Sequence, residues 1–566
     1  MIALIVLVGI VAFAIAYRIY GRWLERAFDV EPERETPAHA QYDGLDYVPA
    51  KMPVLLGHHF SSIAGAGPIV GPVIAALVFG WVPAVLWIIL GSIFVGAVHD
   101  FSSLVISIKH KARSVAEVAR EHMSPLAYRL FLGFIWFALV YVLIVFIDLT
   151  AVTFAPRGAA AGSAAEATGG GVATSSLLFV VLAIFTGLGL YRLKMSLWKV
   201  SVVFVPLVFA AIFVGQALPI SASALPAVGG SATTTWILIL CGYAFVASIT
   251  PVWILLQPRD YLSSFLLYAC LLGGGVGVLF GGLSGAAEVA VHYPAYLGLH
   301  SDKLGWLFPA LFITVACGAC SGFHSLVASG TTAKQLDRTS DARLVGYGSM
   351  LIEGVLALVA VATVAILASG AAETKLPPTN VFAAGIARFL GLLGLPSRYG
   401  EAFGLLALST FLLTTLDTGT RLARYAFEEM FGMKGMRGHL VATVATLAMP
   451  IWLLLTPFHD AAGKPIAAWK VIWPVFGTTN QLLAALVLLL VSVWLYRTRR
   501  PYGFALAPMS FIAAATFVSL VQLIGKHGLT LVGTLSMVLL VMAVVIVVEA
   551  VRAFRRGPAP IAAAAG

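Results

Sequence analysis

Long apolar stretches recur along the whole chain, each close to the roughly 20 residues an α-helix needs to cross a hydrocarbon core, and short polar segments separate them. The pattern predicts helices over 1–20, 57–79, 83–108, 127–153, 175–190, 198–218, 233–256, 261–283, 306–330, 346–369, 402–424, 438–456, 470–495, 504–523 and 530–551. Segment 377–396 opens with Pro377-Pro378-Thr379-Asn380 and reads as an external or re-entrant half-helix. The fold class is an all-α polytopic membrane protein of about 15 transmembrane helices. No soluble domain is visible, and the charged, Pro-punctuated loop 21–56 is expected along the membrane surface.

One run breaks this pattern. Gly57-His58-His59-Phe60-Ser61-Ser62-Ile63-Ala64-Gly65-Ala66-Gly67-Pro68-Ile69-Val70-Gly71-Pro72 sits where an apolar helix should be. Irregular backbone at that depth is tolerated only where it is buried in protein or lines a cavity, and a broken mid-membrane helix points to the site of a secondary transporter. Helix 233–256 carries a second interruption, Ala247-Ser248-Ile249-Thr250-Pro251, about five helices later and in the opposite orientation. The expected division is therefore an extra helix and loop (1–56), a first five-helix repeat (57–218), an inverted second repeat (233–424) and extra helices (438–566).

Charge supports the helix count. Lys and Arg cluster in alternate loops: Arg22, Arg26, Arg34 and Lys51; Lys109, Lys111, Arg113 and Arg120; Arg192, Lys194 and Lys199; then Arg259; Lys334, Arg338 and Arg343; Arg421, Arg424, Lys434 and Arg437; Arg497, Arg499 and Arg500; and Arg552, Arg555 and Arg556. Loops 155–174 and 219–230 are poor in them. The positive-inside rule then places the N-terminus outside and the C-terminus inside. Met1–Tyr17 lacks a preceding basic region and reads as a retained helix, despite Ala12-Phe13-Ala14. The net charge of +10 is spread over short loops without a basic groove, so nucleic acid is excluded as a partner. The residues are 60% hydrophobic and 11% charged, and the bilayer is the medium they imply.

Several residues could carry chemistry. The second half of the broken helix offers free N–H groups near Gly65, Gly67 and Gly71, suited to a small carboxylate; the competing reading is close helix packing. Cys317, Ser321, Ser325 and Ser329 recur every four residues and share a helix face, flanked by His324. That stripe is read as a polar cavity wall, with interhelical hydrogen bonding as the alternative. Cys317 and Cys320 lack the context of a redox or metal motif, and no metal site is expected. His58 and His59, near an inner helix end, suit gating or interfacial hydrogen bonds. Asp100 is expected to reach water, Asp417 to pair with Arg421 one turn on, and Arg259 to pair with Asp260. Asp148 has no partner nearby in sequence and is a proton-site candidate. Asn480 and Gln481 need partners inside the bundle and are read as structural.

The strings GHHFSSIAGAGPIVGP (57–72), GAVHDF (96–101), PVWILLQPRDYLSSF (251–265), CGACSGFHSLVASGTTAKQL (317–336), LTTLDTGTRLAR (413–424) and FGTTNQLLAAL (476–486) resemble the signature segments of the carbon starvation protein A family. The resemblance implies a bacterial inner-membrane carrier associated with proton-coupled pyruvate uptake and with peptide uptake during starvation. It also implies membership of the amino acid–polyamine–organocation superfamily, with a leucine-transporter-like five-plus-five inverted repeat. In that fold the first and sixth core helices unwind around substrate (here 57–79 and 233–256) and the third and eighth close the site (here 127–153 and 306–330). By the same analogy Ala64 and Ser61, with Ser325 and Ser329, form a sodium site that His324 could replace with a proton.

The combined reading is a proton symporter, not an enzyme, that imports a small carboxylate, pyruvate first among candidates. Ser61, Ser62, Gly65, Gly67, Gly71, Ser248, Thr250, Ser321, His324 and Ser325 are expected to bind substrate. His324, Asp148, Ser325 and Ser329 are expected to couple the ion, and His58, His59, Asp100, Asp417 and Arg421 to gate or support. No cofactor is expected beyond the coupling ion, H+ or Na+, and the oligomeric state is left open. The alternatives are a peptide or amino-acid importer and a membrane nutrient sensor without net transport.

Overall fold

The computed structural model describes residues 1–558 except 45, 161, 460–462 and 464. In chain order the main helices are α1 (Ile2–Ala27), α2 (Met52–Ile63), α3 (Gly67–Phe79), α4 (Trp81–Lys109), α5 (Pro125–Phe154), α6 (Ala164–Arg192), α7 (Leu197–Ala217), α8 (Ala232–Ile249) and α9 (Leu256–Ser284). They continue as α10 (Leu307–Thr314), α11 (Gly322–Gly330), α12 (Thr339–Ala365), α13 (Pro378–Gly391), α14 (Ser397–Phe431), α15 (Gly435–Leu455), α16 (Ala468–Arg497), α17 (Gly503–His527) and α18 (Leu531–Arg555). Among the described residues 13 helices are long and apolar enough to cross a membrane, or 14 with α2 and α3 counted as one span bent by 41°. The all-α, multi-pass class stands, and the short element after Pro377-Pro378 is α13.

The basic loops gather at one end of the bundle. There Lys109 Nζ donates to the Asp29 carbonyl (2.9 Å), Arg497 to the His122 carbonyl (2.9 Å) and Arg556 to the Met123 carbonyl (3.0 Å). Loop 28–51 joins them through Ala50 N–H to the Gln335 carbonyl (2.9 Å), so it is tied into this basic end.

The second break lies elsewhere than the sequence suggests. Helix α8 is continuous and simply ends before Pro251, whose missing N–H and fixed φ stop it. The break falls instead inside 306–330, where α10 and α11 are separated by residues 315–321. The core is built on α5 packed along α14. Helices α8 and α15 each pack against both members of that pair; α16 packs on α5 and α11, and α9 on α14 and α2. The half-helix α3 lies on α12, and the half-helix α11 on α4.

Candidate functional site

The two breaks touch. A Cβ on Gly67 would come within 2.5 Å of the Cys317 Cβ, and one on Gly71 would overlap the Thr314 carbonyl oxygen. At the first break the chain unwinds after Ile63; Ala64 N–H still donates to the Phe60 carbonyl (2.9 Å) and Gly65 N–H to that of Ile63 (2.8 Å). Helix α3 then starts on Gly67-Pro68 with no side chain capping its first turn. Its partial positive end is left for a ligand or the neighbouring break.

The second break is held by side chains from α4 and α16. Trp87 Nε1 donates to the Val315 carbonyl (3.2 Å) and Ser92 Oγ to that of Gly318 (3.2 Å). Gln481 Nε2 donates to the carbonyls of Phe312 (3.1 Å) and Cys320 (3.0 Å). Asn480 Oδ1 accepts from Phe323 N–H (2.9 Å), and Asn480 Nδ2 donates to Ser321 Oγ (3.0 Å). The two amides thus act as caps for unwound backbone. Asn480→Ala strands the Phe323 N–H in the interior, at about 1–3 kcal/mol for an unsatisfied buried group. A lower melting temperature of the purified protein is expected, and an unchanged melt would remove Asn480 from this role.

A row of four cavities follows one face of α5. At the end opposite the basic loops is a cavity of about 660 Å³ bordered by Leu149, Val152, Thr153, Arg157 and Lys470. Below it, a void of about 10 Å³ lies between the breaks, against Gly65, Gly67, Phe146, Cys317, Thr415 and Phe476. A second void of about 10 Å³ touches Leu139, Val142, Phe323 and Leu326. At the basic end a cavity of about 250 Å³ is lined by Leu132, Ile135, Arg113, Ser329, Lys334 and Tyr425. Leu132, Ile135, Leu139, Val142, Phe146 and Leu149 follow one another at three- or four-residue spacing, so a single stripe of α5 passes all four. Phe146 and Phe476 (ring centroids 6.1 Å apart) stand in the middle of the row. Lys334 Nζ lies over the rings of Tyr425 (4.6 Å) and Tyr47 (5.3 Å). Burial pulls its ammonium below the usual lysine value, against the opposing pull of Asp46, Glu429 and Asp43.

Of the expected substrate residues, Gly65 and Gly67 border the central void, and Gly71 packs on the other break. Ser61 and Ser62 are buried beside Asp260: Ser61 Oγ donates to its carbonyl (3.0 Å) and Ser62 Oγ to its carboxylate (3.4 Å). Ser62 also meets Thr418 on α14 (3.3 Å). Ser248 and Thr250 are elsewhere, since Ser248 pairs with Thr443 on α15 (3.3 Å) and Thr250 bonds the Val246 carbonyl (2.8 Å). They lie at the foot of a continuous helix and do not face the first break. Ser321 serves Asn480. Ser325 and Ser329 donate to the carbonyls of Gly322 and Ser325 (both 2.7 Å). With Ser61 committed to Asp260, these hydroxyls serve three separate carbonyls.

The buried charges pair differently from the local expectation. Asp100 is fully buried and reaches no water; its two oxygens meet His99 Nδ1 and His324 Nδ1, both at 2.8 Å. Asp417 pairs with Arg259 from α9 and accepts from Tyr243 (2.7 Å), not from Arg421. Arg421 instead donates to the carbonyls of Ala247 (2.9 Å) and Thr250, closing the C-terminus of α8. Asp260 sits 3.6 Å from Arg259, but its nearer partner is His58 Nδ1 (2.5 Å). His58 and His59 are not at a helix end, because α2 begins at Met52; both are buried, and His59 Nδ1 meets Thr332 Oγ1 (2.8 Å). Asp148 has partners after all, Arg157 and the Trp469 N–H (3.0 Å). Glu353 stands out in the sequence only as one of the acids in or near the spans, without an assigned role, and Tyr243, Phe146, Phe476 and Thr415 do not stand out. The contacts that bring them to the site, such as Tyr243 with Asp417, Thr415 with the Ser62 carbonyl, Glu353 with His324 and Phe146 with Phe476, span 29 to 353 positions, so no local spacing signals them.

At the basic end His110, Glu121 and His122 present ligand atoms within 4.8 Å of one another, a grouping able to hold a metal ion. The Ile106 carbonyl fixes His110 Nδ1 (2.6 Å). Burial holds His110 below the usual imidazole value, and burial with His110 and Arg497 brings His122 down to about 3.

Paired broken helices, amide-capped unwound backbone and a row of cavities through the bundle describe a carrier. The profile described as "Carbon starvation protein CstA" matches residues 1–378 and 368–519. The chain belongs to the CstA family. Relatives of this CstA-family chain include the peptide transporter CstA of Escherichia coli (strain K12), 33% identical over 91% of this chain and 80% of that one. The pyruvate/proton symporter BtsT of the same strain is 31% identical over 88% of this chain and 78% of its own. The peptide transporter CstA of Bacillus subtilis (strain 168) is 31% identical over 97% and 96%. A solved manganese transporter of Eremococcus coleocola, at 10% identity, covers 91% of this chain and 99% of its own with a TM-score of 0.50, which shows a shared fold alone. This CstA-family chain is a multi-pass membrane transporter.

Proposed function

We propose that this CstA-family protein imports a small carboxylate, pyruvate first among candidates, across the bacterial inner membrane by proton symport. The observation that carries the reading is the cavity row along α5, with the two breaks at its narrow centre. Its two mouths carry both signs, Arg157 and Lys470 beside Glu401 at one and Arg113 and Lys334 beside Glu117 and Glu429 at the other, while its centre is uncharged and faces the open start of α3. A carboxylate that reached the centre would meet the uncapped N–H groups at the start of α3. The basic end is assigned to the cytoplasm.

Helix packing supports a revised inverted repeat. One unit is α2/α3, α4, α5, α8 and α9; the other is α10/α11, α12, α14, α15 and α16, running the opposite way through the bundle. Each opens with a broken helix, and α6 with α7 is an inserted hairpin. Rocking one bundle against the other about the crossed breaks would open the mouths in turn. A peptide is the second reading, favoured by the size of the cavity opposite the basic end and by relatives described as peptide transporters.

The test is uptake of radiolabelled pyruvate into proteoliposomes under an imposed proton or sodium gradient. Accumulation driven by the proton gradient and collapsed by a protonophore is expected. Accumulation of dipeptides instead would overturn the substrate, and a sodium requirement would overturn the coupling ion.

A further inference from the structure

Half-helix α11 has two working faces. Phe323 and Leu326 separate the central void from the cavity at the basic end, since Phe323 borders the void between the breaks and Leu326 borders that cavity. His324 turns away from them, into the bed formed by α4 and α12. Its Nδ1 lies 2.8 Å from Asp100 Oδ2 and its Nε2 3.5 Å from Glu353 Oε2. All three side chains are fully buried.

The two acids are held unequally. Asp100 is met by two imidazole nitrogens, from His99 and His324. Neither oxygen of Glu353 has a hydrogen-bond partner among the described residues. The other titratable groups facing the cluster are His59 on α2, itself next to His58, and the thiols Cys317 and Cys320 in the second break. Among the described residues no Lys or Arg forms an ion pair with Asp100, His324 or Glu353. With both acids ionised, His324 protonated and His99 neutral, the cluster keeps one uncompensated negative charge in a dry interior, where such a charge is costly. One more proton makes it neutral. Glu353 is the place for it, because two imidazole nitrogens at 2.8 Å stabilise the ionised form of Asp100, whereas Glu353 has only His324 Nε2 at 3.5 Å and no hydrogen bond among the described residues.

We propose that Glu353, with His324 and Asp100, is the coupling-proton site, and that its protonation seats α11 against α4 and α12 and so keeps the pathway closed toward the basic end. Losing the proton leaves the buried charge uncompensated, and the charge is relieved when α11 lifts and admits water, which moves Phe323 and Leu326 out of the pathway. Proton release and substrate release then share one nine-residue helix. The inference rests on the symport reading above and names its proton site, which sequence reading had placed on His324 or Asp148.

The test uses the full chain in proteoliposomes. Glu353→Gln fixes the site in its neutral form, so it is expected to hold the pathway closed toward the basic end and to lose both proton-driven pyruvate accumulation and exchange of labelled for unlabelled pyruvate at equal pH on both sides. Retained exchange would overturn the link between the proton and closure. Wild-type accumulation by Glu353→Gln would overturn the proposal. A misfolded variant would lose both as well, so the deciding reading, which also serves if wild type carries no pyruvate, is infrared difference spectra of the purified protein between acid and alkaline pH, which need no substrate. A protonated-carboxyl band that Glu353→Gln erases and Glu353→Asp shifts supports the site, and a band unchanged in both overturns it. Failure of wild-type uptake with that band present would count against the symport reading alone.

Discussion

Gly67→Ala is expected to abolish uptake while leaving most of the bundle folded. The added methyl would sit 2.5 Å from the Cys317 Cβ and closer still to its sulfur. The thiol can rotate away only by leaving Asn480 Nδ2 (3.7 Å) and Ser321 Oγ (3.5 Å), and the Cβ is fixed by backbone that Trp87, Ser92 and Gln481 hold in place. Overpacking a close-packed interior costs about 1–3 kcal/mol, and here the strain falls where the two breaks must shift against each other. The matching change, Cys317→Gly, removes the opposing carbon and should restore part of the uptake to Gly67→Ala. Measured as initial rates in proteoliposomes beside melting temperature, wild-type uptake by Gly67→Ala would show that the breaks do not move as one tight contact. No rescue would show that something other than Cys317 limits the position.

The largest stability loss is expected at Arg259. Its guanidinium is fully buried and ties Asp417 on α14 and Tyr243 on α8 (2.7 Å) to α9. Asp260 lies beside it at 3.6 Å. Arg259→Met keeps the bulk but leaves Asp417 without its cation and Asp260 with His58 alone as an ion partner, and removing one partner of a buried pair costs about 3–5 kcal/mol. The variant should melt far below wild type or fail to purify as a single species. Adding Asp417→Asn removes one stranded charge and should recover much of the loss, because replacing both partners of a buried pair is often close to neutral. If Arg259→Met melts like wild type, the pair is not what joins the three helices. If the double variant is no better than the single, Asp260 or Tyr243 is the dominant partner.

Much of the architecture was legible along the chain. The bilayer sets a helix length and excludes unpaired backbone, so apolar runs and their basic flanks read directly as spans, and Gly65 through Pro72 read directly as a break. The second break was missed because Pro251 is the louder signal. A proline stops a helix by its own chemistry, whereas residues 315–321 unwind only because α4 and α16 supply donors for their carbonyls. Asn480 and Gln481 were recognisable as polar groups in need of partners, but nothing near them in the chain named those partners.

By itself, then, the sequence determined the membrane class, the near-complete set of spans, the first broken helix and the family, because each follows from interactions of a segment with lipid, with water or with its own backbone. Only the tertiary structure decided that Asp417 belongs to Arg259 rather than Arg421, that Asp100 holds His324, and that Gly67 meets Cys317. The reason is geometric. A helix presents a side chain to a neighbour chosen by how the bundle packs, so a residue's partner one turn away competes with partners hundreds of positions distant, and in a dry interior the pairing that satisfies most buried charge prevails.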